Sequence, residues 1–348
     1  MSSKRLDFRN LPQTYIIAEI SANHNGSIQS ALDLIRIAKE CGADAVKLQT
    51  YTADTLTLDC DNEHFRIGGG TLWDGKTLHQ LYQEAHTPWE WHKTLFDAAA
   101  ALEIDCFSTP FDSTAVDFLE QFNPPCQKVA SFELVDHGLL ACVARTGRPV
   151  ILSTGMATFE EIREAVQVLR DNGCQDLALL KCTSAYPAPA EEANLARLPH
   201  MAETFGCTVG LSDHTMGIVT PVVAVSLGAK IIEKHICHSR SEPGPDSAFS
   251  LEPAEFSAMV EAVRIAEKAV GTPTYERTAK EAAGLAFRRS LFISKPVSAG
   301  EIFTDGNIRS VRPGNGLPPK HLPQILGRRA ASDLPAGTPL EWAHVSES

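Results

Sequence analysis

Residues 210–217 read GLSDHTMG, and residues 231–238 read IIEKHICH. Each is a short run of apolar or small residues that meets a histidine, His214 in the first and His235 in the second. Between them, MGIVTPVVAVSLGAK (216–230) has the length and apolar content of one helix. Strand, helix, strand is a parallel crossover, which sets the carboxyl ends of the two strands side by side. Two imidazoles then project from neighbouring strand ends. Two readings stand for the pair: a clamp for a divalent ion, or histidines packed at a barrel rim.

The same alternation runs outward in both directions. YIIAEIS (15–21) reads as a strand. A helix follows, capped by Ser27, with Ile28, Leu32 and Ile35 at helical spacing and a stop at Gly42. ADAVKLQT (43–50) is the next strand. The stretch from Tyr51 to about Thr87 is too long for a bare connection and reads as a functional excursion with some helix of its own. Pro88 opens the following helix, over PWEWHKTLFDAAAALEI. Strand IDCFS, helix TAVDFLEQF, strand QKVAS and a helix near GLLACVARTG come next.

After strand PVILS (149–153), Thr158 and Glu161 form a capping box. The helix they open carries Ile162, Ala165, Val166 and Leu169 on one face and stops at Gly173. DLALLKCTS, NLARLPHMAETF, CTVGLS and AKIIEKH continue the pattern, and a last helix runs from Pro253 to Gly271 with Phe256, Met259, Val260 and Val263 on its apolar face. Eight strands, each followed by a helix, predict an α/β fold, a (β/α)8 TIM barrel. A doubly wound sheet is the alternative, but its first turn would carry GxGxxG, and here that turn is SANHNG (21–26).

The pattern changes after Gly271. Residues 272–287 read as a polar linker. From Arg288, short runs (SLFISKPV, IFTDGNIRSV, PLEWAHV) separated by Gly and Pro predict a small β-rich module over 288–348, of a size that is marginal alone. The layout expected is therefore a barrel over 1–271, a linker over 272–287 and a small domain over 288–348.

Composition narrows the class. The formal charge of −12 argues against a nucleic-acid surface. No run approaches 18 apolar residues and the amino terminus has no apolar signal core, so no membrane partner is expected. The nine cysteines are scattered singly without a CxxC, which points to a reducing cytoplasm.

In a barrel of this kind chemistry sits at the carboxyl ends of the strands. Polar residues stand at all eight: Glu19; Lys47 and Gln49; Ser108 and Thr109; Lys128, Ser131 and Glu133; Ser153; Lys181, Ser184 and Tyr186; Ser212, Asp213 and His214; Glu233 and His235. Lys47 and Lys128, with hydroxyls of Thr109, Ser131, Ser153 and Ser212, suit a phosphate beside a carboxylate. His214 and His235 suit a divalent ion with positions left for water and substrate. Glu19, Glu133 and Glu233 suit proton transfer or sugar hydroxyls, or else ion pairs with nearby lysines. Lys181 has no assigned partner in the sequence.

These residues, Lys181 apart, lie in motifs of a set made up of AEISANHNG, ADAVKLQT, STPF, KVASFE, ILSTGM, CTSAYP, GLSDH, EKH, PGPD and the tail RRSLF…RPGNG. Through that set, from about residue 14 to 340, the chain resembles the sialic acid synthase family. The resemblance implies a TIM barrel followed by an antifreeze-like (SAF) domain. It implies condensation of phosphoenolpyruvate with an amino-sugar aldehyde to a nine-carbon 2-keto acid, a transferase reaction forming a C–C bond. By resemblance, Glu19 is the catalytic acid/base, and Lys47, Thr109, Lys128, Ser131, Ser153 and Ser212 contact phosphoenolpyruvate. His214 and His235 hold Mn²⁺, with Mg²⁺ or Co²⁺ as substitutes. Gln49, Glu133, Tyr186, Glu233 and Asp246 are sugar-side or metal-shell residues.

Arg312, also by resemblance, contacts an N-acyl group from the tail, across a domain-swapped homodimer. Ser184 stands where many N-acetylneuraminate synthases carry Asn. With AEISANHNG, LWDGKTLHQLY and TPWEWH, it is similar to the branch that makes pseudaminic acid from a 6-deoxy sugar with two acetamido groups. N-acetylneuraminate or legionaminate synthesis, a metal-dependent aldolase, and a non-catalytic sugar- or ice-binding protein are the alternatives.

Overall fold

The computed structural model describes residues 5–68, 70, 73–242 and 244–346. Leu72 of LWDGKTLHQLY and Pro243 of PGPD lie outside them. The chain divides into two compact units, Met1–Gly271 and Thr272–Ser348.

The first unit alternates strand and helix, with two extra helices, Ala53–Leu56 and Leu78–Ala85, in the excursion after the second strand. Its eight strands are β1 (Tyr15–Glu19), β2 (Ala45–Thr50), β3 (Asp105–Pro110), β4 (Gln127–Val129), β5 (Val150–Ser153), β6 (Leu177–Cys182), β7 (Thr208–Asp213) and β8 (Ile231–His235). Its helices are α1 (Ile28–Glu40), α2 (Ala53–Leu56), α3 (Leu78–Ala85), α4 (His92–Ala101), α5 (Ser113–Glu120), α6 (His137–Arg145), α7 (Phe159–Asp171), α8 (Arg197–Phe205), α9 (Val219–Ser226) and α10 (Pro253–Val270). All eight strands are parallel, in the order β3-β2-β1-β8-β7-β6-β5-β4, with β4 returning beside β3. Pairing of the first strand with the last, Tyr15 opposite Ile231 and Glu19 opposite His235, wraps the sheet into a barrel.

Local sequence explains the boundaries. Ser27 accepts from the Ser30 amide at the start of α1, and the Thr158–Glu161 capping box opens α7. The segment starting at Pro88 departs from expectation: a 3₁₀ turn, Trp89–Trp91, comes first, and α4 begins only at His92.

Side chains alternate across each strand, so one parity faces the helices and the other faces the barrel axis. Ile16, Val46 and Leu48 pack outward against helix residues such as Leu34 and Val263. Tyr15, Ile17, Phe107, Ile151, Leu180 and Ile231 fill the interior, joined by Phe8 from below. Gly210 belongs to the same inward parity, and a Cβ there would lie 2.4 Å from the Ile231 carbonyl oxygen. That close approach of β7 to β8 explains the glycine of GLSDH.

An outward pair locks β7 to β8. Lys234, fully buried, donates to Asp213 Oδ2 at 2.6 Å and to the Thr215 carbonyl. Asp213 also accepts from the Thr215 amide and the Thr220 hydroxyl. Removing its carboxylate would leave a buried ammonium without a counter-charge, a cost of about 3–5 kcal/mol.

The second unit departs from the expected outline in two ways. Residues 272–287 are not a bare linker: they hold α11 (Ala279–Ala283), capped by Thr278 and Glu281, and cluster with the tail. The tail has less strand than its runs suggest. β9 (Ser290–Ile293) and β10 (Ile308–Val311) form one antiparallel pair, supplemented by isolated bridges and a short helix, α12 (Leu322–Ile325). PLEWAHV contributes isolated bridges at Pro339 and Val345, with a 3₁₀ turn between them. Its core, around Leu291, Phe303, Ile308, Ile325 and Leu340, is separate from that of the barrel. Among the described residues no helix is long and apolar enough to cross a membrane.

Candidate active site

Two residues further along each inward-facing row, the side chains become polar. Ile17 leads to Glu19, Ala45 to Lys47, Phe107 to Thr109, Ile151 to Ser153, Gly210 to Ser212 and Ile231 to Glu233. Glu19, Lys47, Ser153, Ser212 and Glu233 help to line a cavity of about 430 Å³ at the carboxyl ends of the strands, within the range of small-molecule sites. Of the residues expected at the site, Glu19, Lys47, Gln49, Lys128, Ser131, Glu133, Ser153, Tyr186, Ser212, His214, Glu233, His235 and Asp246 line it. Thr109 stands one step behind and accepts from Lys47 Nζ at 3.0 Å.

Arg312 belongs to the second unit, exposed on the loop after β10. Lys181 stays outside the cavity, donating to the carbonyls of Cys182 and Glu192 and to Thr183 Oγ1.

The floor is a buried charge network. Lys47 pairs with Glu19 and stands 3.9 Å from Glu233 Oε2. Lys128 Nζ lies 3.9 Å from Glu233 Oε1 and donates to Ser153 Oγ at 2.9 Å and the Val129 carbonyl at 3.0 Å. Ser212 Oγ donates to Glu233 Oε1 at 2.9 Å. Glu233 Oε2 has no hydrogen-bond partner among the described residues. Burial pushes the Glu19 carboxyl up to about 7, helped by Glu233 and opposed by Lys47. Burial also works against charge on Glu233, but Lys128 and Lys47 outweigh it and hold that carboxyl below its usual value. Burial lowers Lys128. Lys47 also loses solvent, but Glu19 and Glu233 more than compensate and hold it above its usual value.

A second chain of polar groups climbs one wall. Gln49 Nε2 donates to Ser21 Oγ at 2.8 Å, and Ser21 donates to Asp246. The Ser21 amide reaches Glu19 Oε1 at 2.7 Å, which ties this wall to the floor. On the opposite side, Ser131 and Ser184 hydroxyls meet at 2.9 Å over Gly155. Gly155 has φ +48°, and a Cβ there would lie 2.4 Å from Ser131 Cβ, so ILSTGM needs its glycine.

The imidazoles of His214 and His235 sit with ring centroids 5.3 Å apart, flanked by Phe249. His214 Nδ1 lies 2.9 Å from the Thr183 carbonyl, which assigns the proton to Nδ1 and leaves Nε2 as the lone-pair nitrogen. His235 Nδ1 is buried without a hydrogen-bond partner among the described residues. Burial, and then His214, hold the His235 ring in its neutral form. Two such imidazoles fit a divalent ion. Among the described residues no group of three His, Cys, Asp or Glu side chains gathers to hold one, so oxygens of water and substrate would complete the shell.

Several lining residues were not singled out from the sequence: Ser21, Tyr51, Trp73, Tyr82, Phe111, Cys182 and Phe249. Cys182 shares the inward parity of Leu180, a signal the strand pattern carries. Trp73 and Tyr82 come from the excursion, where periodicity names no partner.

Comparison with known proteins follows this geometry. Residues 34–275 match the NeuB family and residues 288–346 match the SAF domain. The chain belongs to the NeuB family. It is 45% identical over 335 residues to a pseudaminic acid synthase of Campylobacter jejuni, covering 96% of this chain and 97% of that protein. It is 36% identical over 336 residues to an N,N'-diacetyllegionaminic acid synthase of Legionella pneumophila, covering 95% and 94%. Among solved structures it is similar to an N-acetylneuraminic acid synthetase of Leptospira borgpetersenii, with TM-score 0.70 and 30% identity over 78% of this chain and 90% of that one. This NeuB family member is thus an enzyme of the sialic acid synthase type, with the barrel and tail domain expected.

Glu133 yields a pH prediction. Burial raises its carboxyl from 4.5 to about 7, and its Oε2 has no hydrogen-bond partner among the described residues. Below pH 4.5 the group is protonated in both folded and unfolded chains. Between 4.5 and 7 the unfolded chain ionises first, so stability is lost as pH rises through that window. The loss is about 1–3 kcal/mol after allowance for the residue's partial exposure. Glu133→Gln should therefore raise the thermal midpoint at pH 8 and leave it unchanged near pH 4.5, without ligands. Equal midpoints for parent and variant at both pH values would contradict the buried-carboxyl reading.

Proposed function

We propose that this enzyme condenses phosphoenolpyruvate with 2,4-diacetamido-2,4,6-trideoxy-L-altrose and water to give pseudaminic acid and phosphate. The observation that carries this reading is the 45% identity to a pseudaminic acid synthase over nearly the whole chain, against 36% to a legionaminic acid synthase. N-acetylneuraminate or legionaminate synthesis is the second reading, supported by the solved structure at 30% identity. A metal-dependent aldolase would leave the paired lysines of the floor without a phosphate to hold.

The buried lysines suit a small dianionic or trianionic ligand. Lys47 and Lys128, with Thr109, Ser131, Ser153 and Ser212, hold the phosphate and carboxylate of phosphoenolpyruvate and keep its C3 toward the sugar. Gln49, Tyr186, Asp246 and Glu133 hold the sugar. When bound at His214 and His235, a divalent ion, Mn²⁺ or in its place Mg²⁺ or Co²⁺, supplies Lewis-acid polarisation of the aldehyde oxygen. C3 of phosphoenolpyruvate bonds to the sugar's C1, water adds at C2, and the C2–O bond breaks to release phosphate. Burial pushes the Glu19 carboxyl up to about 7, which suits it to either direction of proton transfer. Protonated, it supplies the new alkoxide. Ionised, it takes the proton of the attacking water. Glu233 remains ionised between the two lysines and keeps both in place.

A phosphate-release assay tests this directly. Release should require both substrates, cease on chelation and return with Mn²⁺. Bridging ¹⁸O in phosphoenolpyruvate should appear in phosphate, and the diacetamido sugar should outpace N-acetylmannosamine. Label retained in the keto acid would contradict C–O cleavage. Equal or faster turnover of N-acetylmannosamine would favour the second reading.

The family resemblance adds a homodimer in which Arg312 of one copy reaches the sugar in the other. Mixing inactive Glu19→Ala and Arg312→Ala variants under subunit exchange should then restore activity, because one site per heterodimer has both residues. No recovery would place Arg312 in its own subunit's site or outside the site altogether.

A further inference from the structure

The excursion between β2 and α4 contributes only apolar and aromatic residues to the cavity among those described: Tyr51, Leu56, Ile67, Trp73, Leu78, Leu81, Tyr82 and Ala85. Yet the same segment is crowded with charge. Its Asp54, Arg66, Lys76, His79 and Glu84 are engaged in ion pairs among themselves or with neighbours in the segment, away from the cavity.

The arrangement is clearest on α3. Leu78, Leu81, Tyr82 and Ala85 stand at i, i+3, i+4 and i+7, which is one stripe of a helix. Such a stripe ordinarily buries itself against another element. This one faces the cavity, and Leu81 is only 8% exposed there. Tyr51 meets Tyr82 edge-on at 5.8 Å and Phe111 at 5.1 Å, which joins the wall to the residues just after β2 and β3. The cavity thus has two chemistries: a charged floor at the strand ends and an apolar outer wall.

We propose that the α3 stripe, with Leu56 and Ile67, accepts the deoxygenated C6 methyl end of the sugar and so selects against sugars hydroxylated there. This rests on the function proposed above and deepens it. The sugar's aldehyde belongs at the floor, beside Glu19 and the histidines. A six-carbon chain anchored there carries its far end to the outer wall. A methyl group buries apolar surface against Leu78 and Leu81. A hydroxyl at the same carbon loses its water against the side chains of Leu78 and Leu81, which offer it no hydrogen bond. Discrimination of this kind is modest, about 10- to 100-fold, because an apolar wall rejects an added hydroxyl only weakly.

The test compares kcat/KM for two sugars that differ only in a hydroxyl at C6, using the full-length parent, Leu81→Asn and Leu81→Met. The parent should favour the 6-deoxy sugar by about 10- to 100-fold. Leu81→Asn should cut that ratio at least about fivefold, mostly through KM for the sugar, with KM for phosphoenolpyruvate unchanged within about twofold. Leu81→Met, still apolar, should keep the parent's ratio. Should Leu81→Asn fail to fold, Leu56→Asn makes the same comparison at a half-buried position. An active parent whose ratio is unmoved by the asparagine variants overturns the wall's role alone. A parent that turns over neither sugar overturns the underlying function and this proposal together.

Discussion

Two lysines and two glutamates, all nearly inaccessible to solvent, share the floor of one cavity. An isolated charge in such a place costs several kcal/mol, and only close counter-charges and hydrogen bonds make it tolerable. Lys47 has Glu19, Thr109 and Glu233 around it. Lys128 has less: one hydroxyl, one carbonyl and a carboxylate at 3.9 Å. The network is neutral on balance but unevenly satisfied. An anionic ligand beside Lys128 would supply the counter-charge that the protein provides only at a distance.

The barrel makes that arrangement affordable. Because side chains alternate, the row that is apolar inside the barrel becomes polar on reaching its mouth, with no change of direction. Strand pairing fixes the relative heights of these groups. Glu19 stands opposite Lys47 across β1 and β2, and opposite His235 across β1 and β8. Ser212 stands opposite Glu233 across β7 and β8, which brings its hydroxyl within 2.9 Å. The outward pair of Asp213 and Lys234 holds the same two strands from behind. Each face of β7 and β8 thus carries a polar contact between the two strands, Ser212 to Glu233 on the inner face and Lys234 to Asp213 on the outer.

Much of this was legible in the chain. The strand-helix rhythm, the capping box at Thr158 and the glycine stops are local signals, and the elements formed where they point. Polar residues at strand ends mark the floor because strand ends are countable from sequence. What was not legible depends on contacts across the fold. The ion pairing of Glu19 with Lys47 and not Lys128 follows from strand register. The apolar wall comes from an excursion that the chain marks only as holding some helix of its own, with no sign of where Leu78–Ala85 would face. In the tail, Gly and Pro separate short runs that read as strands, yet PLEWAHV pairs only through isolated bridges at its two ends, Pro339 and Val345, with a 3₁₀ turn between them.

The proposed role of the floor can be measured without sugar or turnover. Calorimetric titration of phosphoenolpyruvate into the parent and into Lys128→Met isolates the contact between the anion and the least satisfied buried cation. Binding by the parent, weakened at least about tenfold in Lys128→Met, is the expected result, since a charge-assisted hydrogen bond contributes about 1.5–3 kcal/mol. Equal affinity in the two proteins, or no binding by the parent, would contradict the assignment of this charge network as a phosphoenolpyruvate site.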